Sequence, residues 1–115
     1  MYRSHGGENA KDRPSFYSKL LALASLVRAA AEAGQPVELV FLNDGPIPGD
    51  RLDLMRAAGE VVPRTRLGFR GSYRAGIALP LERGWPDEDL VWFGEDDYLY
   101  QARALRDLLA ASEAF

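Results

Sequence analysis

Short apolar runs, each closed by turn-forming residues and separated by helix-patterned stretches, restrict the fold of this chain more than any other feature. Val37 to Leu42 is mostly apolar and stops at Asn43-Asp44-Gly45-Pro46. Leu90-Val91-Trp92-Phe93 is continuously apolar and is followed by Gly94 and three acids. Glu60-Val61-Val62 reads as a short strand between these two runs. Such runs lack the in-out alternation of a half-exposed strand, so they read as strands covered on both faces, as in a parallel sheet. Helical patterns lie between them. The alternation predicts a three-layer α/β/α, Rossmann-like arrangement with a mainly parallel sheet. A chain of 115 residues has room for one small domain.

The first helix is expected from Pro14, with Asp12 as its cap, because proline is tolerated in a first turn. Phe16, Leu20, Leu23, Val27 and Ala30 would form its apolar face, and Gly34 and Pro36 would end it. A short helix capped by Asp50 carries Leu52, Leu54, Met55 and Ala58 and ends at Gly59. The basic stretch from Arg64 to Ser72 reads as a loop, and Tyr73 to Leu81 as a helix disturbed by Pro80. A last helix from about Gln101 would turn Leu105, Leu108 and Leu109 inward. Residues 1–12 are polar and read as a loop, so the pattern opens on a helix where this fold opens on a strand. The expectation is a partial domain, truncated at both ends. Loss of a central strand would leave two unpaired edges and a poorly stable or self-associating chain.

Composition excludes several function classes. There is no cysteine, so thiolate metal sites, disulfides and cysteine nucleophiles are ruled out. The only histidine is His5, so a histidine metal cluster is impossible and a Ser-His-Asp triad could use no other imidazole. A formal net charge of −3 gives no basic excess for nucleic acid. No apolar run reaches membrane-spanning length, and the first residues lack a signal-peptide pattern, so a cytoplasmic protein, or a cytoplasmic-face partner of a membrane enzyme, is expected. The charges are nevertheless segregated. Arg64, Arg66, Arg70 and Arg74 precede an acidic group of Asp87, Glu88, Asp89, Glu95, Asp96 and Asp97. This polarity suits a cation and an anionic ligand held side by side; it also suits two solvated loops.

Four constellations carry possible chemistry. Glu95-Asp96-Asp97 follows a predicted strand, where open α/β sheets bind ligands. Three adjacent carboxylates repel one another, and Mg2+ or Mn2+ would relieve that conflict through hard oxygen ligands, Asp97 first and Glu95 second. The same acids could instead favour the amino end of the following helix. Asn43-Asp44-Gly45 offers a carboxylate to a base or ribose, or makes an Asx turn that ends its strand. Arg13-Pro14 puts a guanidinium where phosphate and helix amides converge, or leaves it in solvent. Arg70-Gly71-Ser72-Tyr73-Arg74-Ala75-Gly76 lets a backbone approach a diphosphate closely, or is a loop and helix cap. It is neither a Walker loop nor a dinucleotide fingerprint.

In order, these segments resemble the family 2 glycosyltransferases of the GT-A fold. Arg13-Pro14 with Ser25-Leu26 is similar to the family's opening arginine and amphipathic helix. Val40-Phe41-Leu42-Asn43-Asp44-Gly45 is similar to its strand and Asp-Gly turn. Gly71 to Ala78 is similar to its glycine-rich helix start. Leu90 to Asp97 is similar to its strand and Asp-X-Asp turn, with Glu95 in the first place. The resemblance implies metal-assisted, inverting transfer of a sugar from a UDP- or GDP-linked donor to an unknown acceptor. It implies donor contacts from Arg13, Asn43, Asp44, Arg70, Arg74, Glu95 and Asp96, and metal ligation by Asp97 and Glu95. The catalytic base of the family lies beyond its Asp-X-Asp turn, so no residue here is assigned that role. Two other readings stand beside it: a non-catalytic nucleotide-binding domain of the same fold, and a metal-dependent phosphoryl-transfer enzyme.

Overall fold

The computed structural model describes residues 1–8 and 12–115. Four strands form one all-parallel sheet: β1 (Tyr2–His5), β2 (Val40–Asp44), β3 (Glu60–Arg64) and β4 (Gly94–Glu95), in the order β3-β2-β1-β4. Four helices connect and cover them: α1 (Lys19–Ala31), α2 (Gly49–Ala58), α3 (Gly68–Glu82) and α4 (Ala104–Glu113). α1, α2 and α4 pack on one face, around Tyr2, Leu23, Leu26, Phe41, Met55 and Leu105. α3 covers the other face, over Val40, Leu42, Val62 and Leu79. Along β2 the side chains alternate between the two cores, so a continuously apolar strand is what a sheet buried on both faces requires. The three-layer α/β/α architecture expected from the runs is the one found.

The central strand is not missing. Residues 2–5 form β1, which pairs with β2 from Tyr2↔Phe41 to His5↔Asp44 and with β4 at Tyr2↔Gly94 and Arg3↔Glu95. The loop expected over residues 1–12 is therefore corrected at its start; residues 9–11 lie outside the described residues. Tyr-Arg-Ser-His looks polar because Arg3, Ser4 and His5 spend their polar groups on the sheet's carboxyl edge. Tyr2 alone supplies apolar area, packing edge-on against Phe41 at 5.8 Å between ring centroids. The two unpaired edges expected from its loss do not exist.

Other boundaries move for local reasons. α1 begins at Lys19, because the Ser18 hydroxyl accepts the Leu21 amide at 3.0 Å and stops the helix short of Pro14. Asp12, expected as the cap, sits at φ 61° in the preceding turn. The buried face is Lys19, Ala22, Leu23, Leu26 and Ala29, one position round from the expected stripe, and Phe16 is exposed. Leu90–Phe93 is not a strand: Leu90 and Phe93 are exposed, and pairing with β1 starts only at Gly94. The Met1 ammonium donates to the Trp92 carbonyl at 3.0 Å, and the Gly94 amide to the Met1 carbonyl at 2.9 Å. α3 takes in much of the expected Arg64–Ser72 loop, since Asp44 caps its first turn from across the sheet. Leu108 is exposed, whereas Leu105 is buried.

Candidate functional site

The chain runs β1, β2, β3 towards one side of the sheet and then returns to place β4 on the other side of β1. The strand order therefore reverses between β1 and β4, and the crevice outside the carboxyl ends at such a point is where parallel α/β sheets bind ligands. A recess of about 420 Å³ opens there. Ser4 and His5 line it from β1, Asp44 from β2, Phe69 and Ser72 from α3, and Glu95-Asp96-Asp97 from β4 and its turn. A larger recess of about 750 Å³ opens near Met1, Val37–Val40 and Trp92, at the amino ends of the strands, and has no part in this cluster.

Each acid of the turn has its own cation. Arg3 pairs with Glu95, Lys19 with Asp96 at 2.8 Å, and Arg13 with Asp97 at 3.1 Å. The carboxylate repulsion inferred from the sequence is thus relieved by three basic side chains. Lys19 is 1% exposed, and its stem belongs to the apolar face of α1. Its ammonium also reaches the His5 carbonyl at 3.3 Å and His5 Nε2 at 3.2 Å. A charged Lys19 has only protons to offer, so His5 Nε2 is assigned as an acceptor and the ring proton falls on Nδ1. Asp96 is buried; its Oδ2 further accepts the Ser4 hydroxyl at 2.9 Å and the His5 amide at 3.1 Å. Ser4 donates to Asp96, while the His5 ring faces Lys19, which is not the hydrogen-bond chain of a hydrolytic triad.

The surroundings fix these groups. Arg51, fully buried on α2, donates to the His5 carbonyl at 3.1 Å and to the Gly6 carbonyl, holding the chain as it leaves β1. It adds a fourth cation with no carboxylate partner found among the described residues. Ser25 on α1 accepts the Tyr100 amide at 2.8 Å, and the Tyr100 hydroxyl donates to the Glu95 carbonyl at 3.1 Å. The segment after the acidic turn is thereby tied to both α1 and β4. Burial pushes the Tyr100 phenol up to about 12, so it stays a donor across the neutral range.

The sequence-predicted residues divide into two groups. Glu95, Asp96, Asp97, Asp44 and Arg13 meet at this edge. Asp44 spends both carboxylate oxygens on α3, accepting the Leu67 and Gly68 amides at 2.9 Å each. Arg13 lies 4.9 Å from the Tyr17 ring centroid as it bonds Asp97. Asn43, Arg70 and Arg74 do not line the recess. Asn43 is buried and aims Nδ2 at the Met55 sulfur, 3.4 Å away, because adjacent strand residues face opposite sides. Arg70 and Arg74 are on the exposed side of α3. Arg3, Ser4, Lys19 and Arg51 were not anticipated. An i, i+3, i+4 stripe started at Lys19 rather than Phe16 would have flagged a lysine on the buried face.

Among the described residues, no three His, Cys, Asp or Glu side chains form a ready-made cation cage. Asp97 Oδ1 is nevertheless buried without a hydrogen-bond partner among them. Family models, curated proteins and solved structures yield no match to this chain.

Proposed function

We propose that this chain is the donor-binding portion of a GT-A-type glycosyltransferase of the family 2 kind, acting in the cytoplasm on a UDP- or GDP-linked sugar. The observation that supports it best is the meeting of Glu95-Asp96-Asp97 with Arg3, Lys19 and Arg13 at the β1/β4 reversal. The three acid–cation pairs balance one another without ligand and are able to exchange partners. Asp97, through its unpartnered Oδ1, and Glu95 would hold Mn2+ or Mg2+, a hard ion that needs only one or two carboxylates when phosphate oxygens complete its shell. The ion would supply Lewis-acid stabilisation of the leaving diphosphate. Arg3 and Arg13, which pair with Glu95 and Asp97, would supply guanidinium groups to the phosphate oxygens. Asp96 stays on Lys19 and keeps the turn in place. Asp44 holds the first turn of α3 against the recess and retains lone pairs for a ribose hydroxyl or base N–H.

Isothermal titration with UDP and GDP, with and without Mn2+, tests this. Binding should tighten by about tenfold or more with Mn2+, and Asp97→Asn should remove that gain. Failure of both nucleotides to bind in Mn2+ would overturn the proposal. The second reading, a non-catalytic nucleotide-binding domain, is favoured by one observation: every acid of the turn already has a cation. It predicts nucleotide binding that Mn2+ does not alter.

A further inference from the structure

α3 is the only helix on its side of the sheet among the described residues, and its outward face is not polar. Phe69, Tyr73, Ile77 and Leu81 stand four residues apart and are 75%, 53%, 41% and 80% exposed. The spacing places them in one row along the helix. Arg70 and Arg74 follow the first two members of the row and flank it, and both are exposed without an acidic partner among the described residues. Arg66 precedes the helix and is exposed too. From Arg64 to Arg83 there are five arginines against Glu82 alone, on a chain whose formal total is −3. Basic charge and exposed apolar area therefore coincide on one helix of an otherwise acidic protein.

We propose that this face of α3 seats the protein on an anionic lipid surface. The charge sign selects an anionic counterpart. An interfacial helix lays a row of apolar side chains among acyl chains with arginines at the headgroups, and the α3 row with its flanking Arg70 and Arg74 has that arrangement. Phe69, at the amino end of the row, also lines the β1/β4 recess and stacks with the Arg3 guanidinium at 4.7 Å, whereas Tyr73, Ile77 and Leu81 line neither recess. The arginines each add about 1 kcal/mol next to anionic headgroups, which corresponds to roughly fivefold in partitioning.

Co-sedimentation of the full chain with vesicles tests the proposal independently of nucleotide binding. Vesicles of phosphatidylcholine alone are compared with vesicles containing about 30 mol % phosphatidylglycerol, at low and high salt. The protein should pellet with the anionic vesicles only and be released by salt. The pairs Arg70→Glu/Arg74→Glu and Ile77→Ser/Leu81→Ser should each lower the bound fraction by about tenfold or more. These side chains are exposed, so unchanged thermal melts show that the loss is one of contact and not of folding. Absence of binding to anionic vesicles, or equal binding of wild type and both variants, would overturn the proposal. Self-association that Ile77→Ser/Leu81→Ser abolishes, with no vesicle binding, would assign the ridge to a second copy instead.

Discussion

Lys19 and Asp96 hold more of this molecule than their number suggests. Both are buried, and each satisfies the other at 2.8 Å while the Ser4 hydroxyl, the His5 amide and the His5 carbonyl take up remaining hydrogen-bonding capacity. A buried pair of this kind adds little net stability compared with an apolar pair, yet removing one partner strands a charge. Lys19→Met should therefore destabilise by about 3–5 kcal/mol, measured by urea unfolding, and more than Arg13→Met, whose partner Asp97 is part-exposed. None of this could be read from Lys19 as a residue type. A lysine on a helix is ordinarily solvated, and the carboxylate that draws it inward is 77 positions away in the chain.

At the scale of elements, the joints are where local chemistry decides. Ser18 begins α1, and the Asp44 carboxylate begins α3 from the end of β2. The first is a sequence-local signal that competes with Asp12-Arg13-Pro14; the second is a tertiary cap, which is why the start of α3 reads as loop in the sequence. The turn from α2 to β3 depends on Gly59. A Cβ there would stand 2.2 Å from the Leu39 carbonyl oxygen, and both backbones are held by the Glu60 amide bond to that same oxygen. Gly59→Ala should cost about 3 kcal/mol or more through this overpacking. Gly49→Ala, where nothing lies within 4 Å of the added atom, should stay within about 0.5 kcal/mol of wild type. Paired chemical denaturation curves check both.

Across the whole molecule, the sheet is held at its centre by its first residues. β1 lies between β2 and β4, and the Met1 ammonium is drawn into the sheet's amino edge. Burial lowers its pKa from 8.0 to about 6. Between those values the unfolded chain binds more protons than the folded one, so stability rises with pH across that window. The contribution is fully present above pH 8 and is lost as pH falls through 6. About 2 kcal/mol should separate unfolding free energies at pH 5.5 and 8.5 from this group, since each pKa unit corresponds to about 1.4 kcal/mol and the group is not wholly dry. Acetylation of Met1 should remove that part of the dependence.

The sequence by itself determined the layer class. Val40-Phe41-Leu42 can be buried on both faces only inside a covered sheet, and the helical stripes between the runs supply the cover. It also put the acids at the sheet's carboxyl edge, but not the strand that carries them, because β4 is Gly94–Glu95 and so begins inside the motif expected to follow it. Tertiary structure alone decided that Tyr2–His5 is the central strand, since four residues with one apolar side chain carry no periodic signal. It alone decided which cation meets which carboxylate, because Arg3, Arg13 and Lys19 reach Glu95, Asp97 and Asp96 only after the chain has crossed the sheet and returned. The physical reason is the same in both cases. Burial of apolar area is written in local periodicity, whereas electrostatic pairing depends on distance in space, which the order of residues along the chain does not fix.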